Sequence, residues 1–389
     1  MRARRVSVVF SSLALALALA VGQAIAADYK EPPMLAVDVA AGKLPPIAER
    51  IPADPLVVKF DDKGEKIGQY GGDLRTLIGR AKDVRYLTVY SYARLVGYDR
   101  KFEIKPDILK SIEIDGDRSF TMKLRKGQKW SDGTPFTTED FRYWWEDVAN
   151  NKELSPAGPP QEMYVDGEKA KVEIIDETTI RFSWSKPNPF FLPRLAGASP
   201  LYIYRPSHYM KQFHVKDADP AKLQKLAEEN NKRNWAALHN AMDNMYDDDN
   251  PDLPTLDPWR VITRAPANRF VAVRNPYYYK VDADGHQLPY IDRVLMSPAA
   301  AGLIAAKVGD GESDLQARGL TFSNFTFLKE NEERSGYVTL LWRTAKGSHF
   351  ALNPNLNCND PVWRQMFRDA RFRRAGLRTS RDQAGPIRF

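Results

Sequence analysis

The side chains able to do covalent or metal chemistry are present but not arranged for it. Five histidines, His208, His214, His239, His286 and His349, are scattered along 389 residues. They form no His-Glu-x-x-His pair and no short Cys/His cluster of the spacing that zinc needs. The single cysteine, Cys358, cannot close an internal disulfide. Ser199 lies in Gly-Ala-Ser-Pro rather than on a nucleophile elbow. Asp282-Ala283-Asp284-Gly285 has the opening of a calcium loop without its later ligands, and reads as a polar hairpin turn. Asp247-Asp248-Asp249 reads as a solvated loop. Gly71-Gly72 precede a strand, whereas a phosphate loop follows one. No pair among the 50 acids stands out for glycoside chemistry. The expectation is therefore no catalytic residue, no metal and no cofactor. What remains is recognition, because 11% of the chain is aromatic and rigid aromatic walls with a few placed polar groups hold ligands.

The elements that would position such walls are legible around Phe120–Val148. Phe120, Met122 and Leu124 alternate with polar residues, the period of a half-buried strand. Ser131-Asp132-Gly133-Thr134-Pro135 is a turn. Thr137 and Asp140 have capping-box spacing. Phe141, Trp144, Trp145 and Val148 then share one face of a helix.

Residues 1–26 stand apart. Arg2, Arg4 and Arg5 precede an apolar run that ends at Ala24-Ile25-Ala26, the layout of a signal peptide cut after Ala26 and implying export. Removing it takes three positive charges from a formal net charge of +7. Much of the remaining excess sits in the arginines from Arg364 to Arg388. The body is near neutral, with no basic stripe interleaved with aromatics, so nucleic acid is not an expected partner.

The run LRKGQKWSDGTPFTTEDF, Leu124 to Phe141, closely resembles the signature of family 5 extracytoplasmic solute-binding proteins, the peptide/nickel/oligopeptide-binding receptors of bacterial ABC importers. Other segments are similar to that family in order: Gly71-Gly72-Asp73-Leu74-Arg75, Leu95-Val96-Gly97-Tyr98-Asp99, Arg274-Asn275-Pro276, Gly311-Glu312-Ser313-Asp314, and Asp369 to Ala375. The resemblance implies an α/β, periplasmic-binding-protein-like (class II) two-lobe fold. It also implies a periplasmic, monomeric receptor that captures a small solute, foremost a peptide, and passes it to ABC permease subunits in the inner membrane. Such a receptor is not an enzyme.

On this pattern residues 27–66 are an extended Pro-rich arm with a small hairpin at Asp61–Gly64. Residues 67–297 form lobe I with an inserted subdomain at about 95–185, and 298–375 open lobe II. Leu201 to Ile203 reads as a short strand, and His349 to Asn353 as another. The resemblance ends at Ala375, and 376–389 read as an aberrant tail, so a shortened or frameshifted receptor with lobe I largely present and lobe II mostly missing is expected. A naturally short variant is the alternative. In this family the loop after the first strand borders the ligand cleft. Asp83, Arg85 and Tyr90 are therefore candidate solute contacts, joined by Met163 and Tyr164 after the Asn151–Pro160 loop. The competing reading makes Tyr86, Tyr90 and Tyr92 ordinary core or surface aromatics. A non-functional fragment and a secreted carbohydrate-binding or hydrolytic module are the other readings of the whole chain.

Overall fold

The computed structural model describes residues 29–60, 65–247, 249–342 and 353–375. The signal segment 1–26, the hairpin at Asp61–Gly64, Asp248, the strand from His349 and the tail 376–389 lie outside the described residues. The described residues fall into two compact units, one running to Val338 and one beginning at Thr339. No helix among the described residues is long and apolar enough to cross a membrane.

The N-terminal part holds α1 (Pro33–Ala40), α2 (Ile47–Arg50) and β1 (Leu56–Val58). These replace the expected extended arm. Pro33 occupies the first turn of α1, where no N–H is required, so a Pro-rich segment can open a helix. Next come β2 (Asp73–Ile78), a 3-10 turn (Ala81–Arg85) and α3 (Tyr86–Ser91). They are followed by β3 (Val96–Tyr98), β4 (Ile104–Pro106), β5 (Ser111–Asp115) and β6 (Ser119–Lys123). Then α4 (Thr138–Arg142) continues as a π-helical turn (Tyr143–Ala149). The insert closes with β7 (Tyr164–Val165), β8 (Glu168–Lys169), β9 (Lys171–Asp176), β10 (Thr179–Ser183) and α5 (Phe191–Leu195). Three helices follow, α6 (Ser207–Met210), α7 (Pro220–Glu229) and α8 (Trp235–Met242). Last in this unit are β11 (Trp259–Val261), β12 (Phe270–Arg274), β13 (Lys280–Asp282), β14 (Arg293–Pro298), α9 (Ile304–Gly309) and α10 (Phe325–Ser335). The second unit contains α11 (Pro361–Arg368).

Two four-stranded sheets carry the first unit. One, β5-β6-β10-β9, is antiparallel throughout, with Phe120 opposite Phe182 and Met122 opposite Ile180. Its apolar face joins the largest core, which also takes Trp130, Phe141 and Trp144. The other runs β11-β12-β14-β2, with β2 parallel to β14 at the edge. Alternation along β2 feeds two cores, as the pleat requires. Ile78 packs with Val84, Leu87, Val294 and Met296 on one face, and Leu77 packs with Ile304, Val308 and Leu328 on the other.

The Trp-Ser-Asp-Gly-Thr-Pro signature is a structural hub. The Thr137 hydroxyl accepts from the Glu139 N–H at 3.3 Å, and Asp140 Oδ2 accepts from the Thr137 N–H at 3.1 Å, completing the capping box. Buried Asp140 also accepts from Trp130 Nε1 at 3.1 Å and from the Ser207 N–H and hydroxyl at 2.9 Å. One carboxylate thus ties the turn, the helix start and α6 together.

Two local expectations are corrected. The helix after Thr137 does not stay α-helical: the wider π turn also buries Tyr143, whose hydroxyl meets His239 Nε2 at 2.8 Å. Leu201 to Ile203 pairs with no strand among the described residues. Ile203 and Tyr204 are buried as irregular chain, so core burial rather than a ladder accounts for their apolar character.

Candidate solute-binding wall

In open sheets with parallel strands, ligands bind outside the carboxyl ends of those strands. Here that location is where β2 and β14 finish side by side, Leu77 opposite Ser297 and Ile78 opposite Pro298. The chain leaves β2 through Gly79-Arg80 and folds back as the 3-10 turn and α3. Val84 and Leu87 hold this segment down, being 2% and 1% exposed against the sheet. With those two facing inward, Arg80 and Lys82 are exposed and Arg85, Tyr86 and Tyr90 are half-buried.

Three of the five expected site residues come together here. Asp83 is buried, with Oδ1 3.5 Å from Arg80 Nε and 3.8 Å from Arg85 Nη2. Arg85 lies 5.8 Å from the Tyr86 ring centre. Tyr90 sits one turn further on, and burial pushes its phenol up from the ordinary range while Arg318 pulls the other way. Four buried polar atoms on this stretch, Asp83 Oδ1, Arg85 Nε, Tyr90 Oη and Ser91 Oγ, have no hydrogen-bond partner among the described residues. Such groups are uncommon in native folds, although Asp83 Oδ1 still faces the two guanidinium groups.

Met163 and Tyr164 are not part of this arrangement. Met163 is fully buried in the largest core, and its carbonyl accepts from Trp184 Nε1 at 3.1 Å and from the Ala170 N–H at 2.8 Å. Its side chain therefore presents no surface to a solute. Tyr164 is half-buried at the start of β7 and packs against that same core. Among the described residues, no hydrogen bond or ring contact joins either side chain to the β2–α3 wall.

The wall is held by residues that the sequence did not single out. Arg94 is 1% exposed and donates to the carbonyls of Thr88, Ala198 and Gly197 at 2.9, 2.8 and 2.9 Å. It caps α3 with a buried cation, where a helix C-terminus favours one. The Thr88 hydroxyl donates to the Tyr246 carbonyl at 3.1 Å. Tyr92 turns left-handed at φ 43°, stacks 5.1 Å from the Arg94 guanidinium and donates to the Ala196 carbonyl at 2.7 Å.

The outer edge of β2 is covered from far along the chain. The Arg75 N–H donates to Asp314 Oδ2 at 2.7 Å, and the Asp314 N–H returns a bond to the Arg75 carbonyl at 2.9 Å. Two residues on, the Gln316 amide bonds both groups of Leu77, accepting from its N–H at 2.9 Å and donating to its carbonyl at 2.9 Å. Arg318 follows and lies 4.8 Å over the Tyr86 ring. The Gly-Glu-Ser-Asp motif signalled this segment, but not its partner 239 residues away.

The family model for bacterial extracellular solute-binding proteins, family 5 Middle, matches residues 103–375. The chain belongs to that family. The periplasmic alpha-galactoside-binding protein of Rhizobium meliloti (strain 1021) is 30% identical over 291 residues, covering 69% of this chain and 39% of the relative. A solved oligopeptide-binding protein OppA superposes with a TM-score of 0.76 at 35% identity, covering 90% of this chain and 55% of that one. The periplasmic binding protein MelB from Agrobacterium fabrum C58, solved with stachyose, gives 0.62 at 27% identity, covering 78% and 46%. The fold is thus the mixed α/β fold of periplasmic binding proteins, and the chain spans about half or less of each of these family members.

Proposed function

We propose that this chain is the solute-capturing part of a periplasmic receptor for an ABC importer, and that its solute is a peptide. The observation that carries the reading is the wall at the ends of β2 and β14, where free polar atoms, half-buried tyrosines and guanidinium groups converge. Arg85 and Arg318 beside Tyr86 suit a solute bearing charge better than a neutral one. Asp83, Arg85 and Tyr90 are the solute-facing residues in this reading. Residues 67–297 act as the first lobe, with its insert at about 95–185, and 298–375 open the second. The partners are permease subunits in the inner membrane, reached by a monomeric protein exported through residues 1–26. Capture and release need no reactive group, in keeping with a receptor rather than an enzyme.

A second reading, an oligosaccharide of the α-galactoside class, is favoured by the Rhizobium relative and by MelB with its stachyose. Isothermal titration of the full chain with trialanine and with stachyose separates the two. Trialanine binding alone is the expected result. Stachyose binding alone replaces the peptide reading with the sugar one.

A further inference from the structure

Arg80 and Arg85 share the buried carboxylate of Asp83. Arg318 is different. It is exposed, forms no ion pair among the described residues, and rests over the Tyr86 ring 4.8 Å from its centre, with Arg85 at 5.8 Å from the same ring. Its backbone is also held: Gln316 Nε2 donates to the Arg318 carbonyl as well as to that of Leu77. A guanidinium lying on an aromatic ring keeps its plane and its outward N–H groups pre-organised, so less freedom is lost when it pairs with an anion. The wall thus carries three guanidinium groups for one internal carboxylate, and Arg318, the one with no ion pair among the described residues, also acts electrostatically on the Tyr90 phenol.

We propose that Arg318 is a specificity-determining residue of this receptor that takes a carboxylate of the bound peptide, with Gln316 as the residue that positions it. The inference rests on the peptide reading above. A guanidinium meets a carboxylate through two parallel N–H bonds. A neutral amide in the same place accepts at one oxygen and turns its own NH2 donors toward the cation. The carboxylate comes from the peptide's C-terminus or from an acidic side chain.

The test is isothermal titration of the full chain with trialanine, trialanine amide, Ala-Glu-Ala amide and stachyose, on the wild type and on Arg318→Gln and Arg318→Lys. The wild type is expected to prefer trialanine over its amide by about 10- to 100-fold, the range of a charge-assisted hydrogen bond. Arg318→Gln collapses that preference, trialanine falling toward the amide, and Arg318→Lys restores part of it. Tight binding of Ala-Glu-Ala amide that is lost in Arg318→Gln supports the proposal with the side-chain carboxylate as the source. Equal wild-type affinity for trialanine and its amide, with no effect of Arg318→Gln, overturns the proposal and leaves the peptide reading standing. Binding of stachyose alone, or of no peptide at all, overturns the peptide reading and this proposal with it.

Discussion

Gln316 offers the sharpest test of how the wall is built. Its amide stands in for one rung of a β-ladder, pairing both main-chain groups of Leu77, a residue only 3% exposed. Replacing it by Met keeps the length and most of the packing but removes every hydrogen bond. The buried N–H and carbonyl of Leu77 then lose their partners, as does the exposed Arg318 carbonyl, and each group left unpaired in a buried place costs about 1–3 kcal/mol. Water reaches part of an opened sheet edge, so the expected loss is about 2–4 kcal/mol for Gln316→Met. Urea unfolding reads this as a lower midpoint at constant slope. Native-state hydrogen exchange adds a local reading, since the Leu77 amide becomes less protected than its neighbours on the β14 side. A stability change below about 0.5 kcal/mol, typical of an uninvolved surface site, with unchanged Leu77 exchange, refutes the assignment.

Four further outcomes are expected. Thr137→Ala removes one half of the capping box and costs about 1 kcal/mol in the same unfolding assay. Gly133→Ala costs more than about 2 kcal/mol, because Gly133 has φ +91° and an added Cβ would lie 2.7 Å from the Tyr277 hydroxyl. Tyr90→Phe removes a hydroxyl that has no hydrogen-bond partner among the described residues, so thermal stability stays within about 0.5 kcal/mol while titration shows weaker solute binding. His239 is held neutral by burial, which pushes it down to about 3 from an ordinary 6.5, with the His214 and Arg205 charges adding to the effect. Its contribution to stability is complete above pH 6.5 and is lost as pH falls through that value toward 3, where the unfolded chain binds the proton first. The stability advantage of wild type over His239→Gln therefore shrinks by about 1.4 kcal/mol per pH unit between pH 6 and pH 4. A pH-independent difference contradicts the buried neutral imidazole.

Where local patterning and tertiary packing agree, the sequence reading and the structure coincide. The strand at Phe120 and Met122 and the Thr137 cap are each set by residues a few positions apart. The reading departs where packing overrules propensity. The six prolines of residues 27–66 made the segment look extended, yet Pro33 simply opens α1, and Ile47 and Ile51 are buried against Val281. Met163 looked available from its place after a loop, but the Trp184 indole bonds its carbonyl and the core closes over its side chain. Tyr90 could not be told from a core tyrosine by spacing. Its hydroxyl, buried without a hydrogen-bond partner among the described residues, sets it apart only in three dimensions.

The sequence by itself determined the family and the locally patterned elements, such as the strand at Phe120 and the helix start at Thr137. Period-2 and helical apolar patterns act through nearest neighbours, and the Leu124–Phe141 run carries enough residue types in order to mark the receptor family. It also placed Asp83, Arg85 and Tyr90 on one short segment. Only the tertiary structure decided what surrounds that segment. Asp314 and Gln316 reach the edge of β2 from 239 residues away, and Arg318 reaches the Tyr86 ring. Arg94 reaches the Thr88, Gly197 and Ala198 carbonyls at once. Such contacts depend on which chain ends up beside which, and no local spacing encodes that: a glutamine that completes a sheet edge has the same immediate neighbours in sequence as one that faces water.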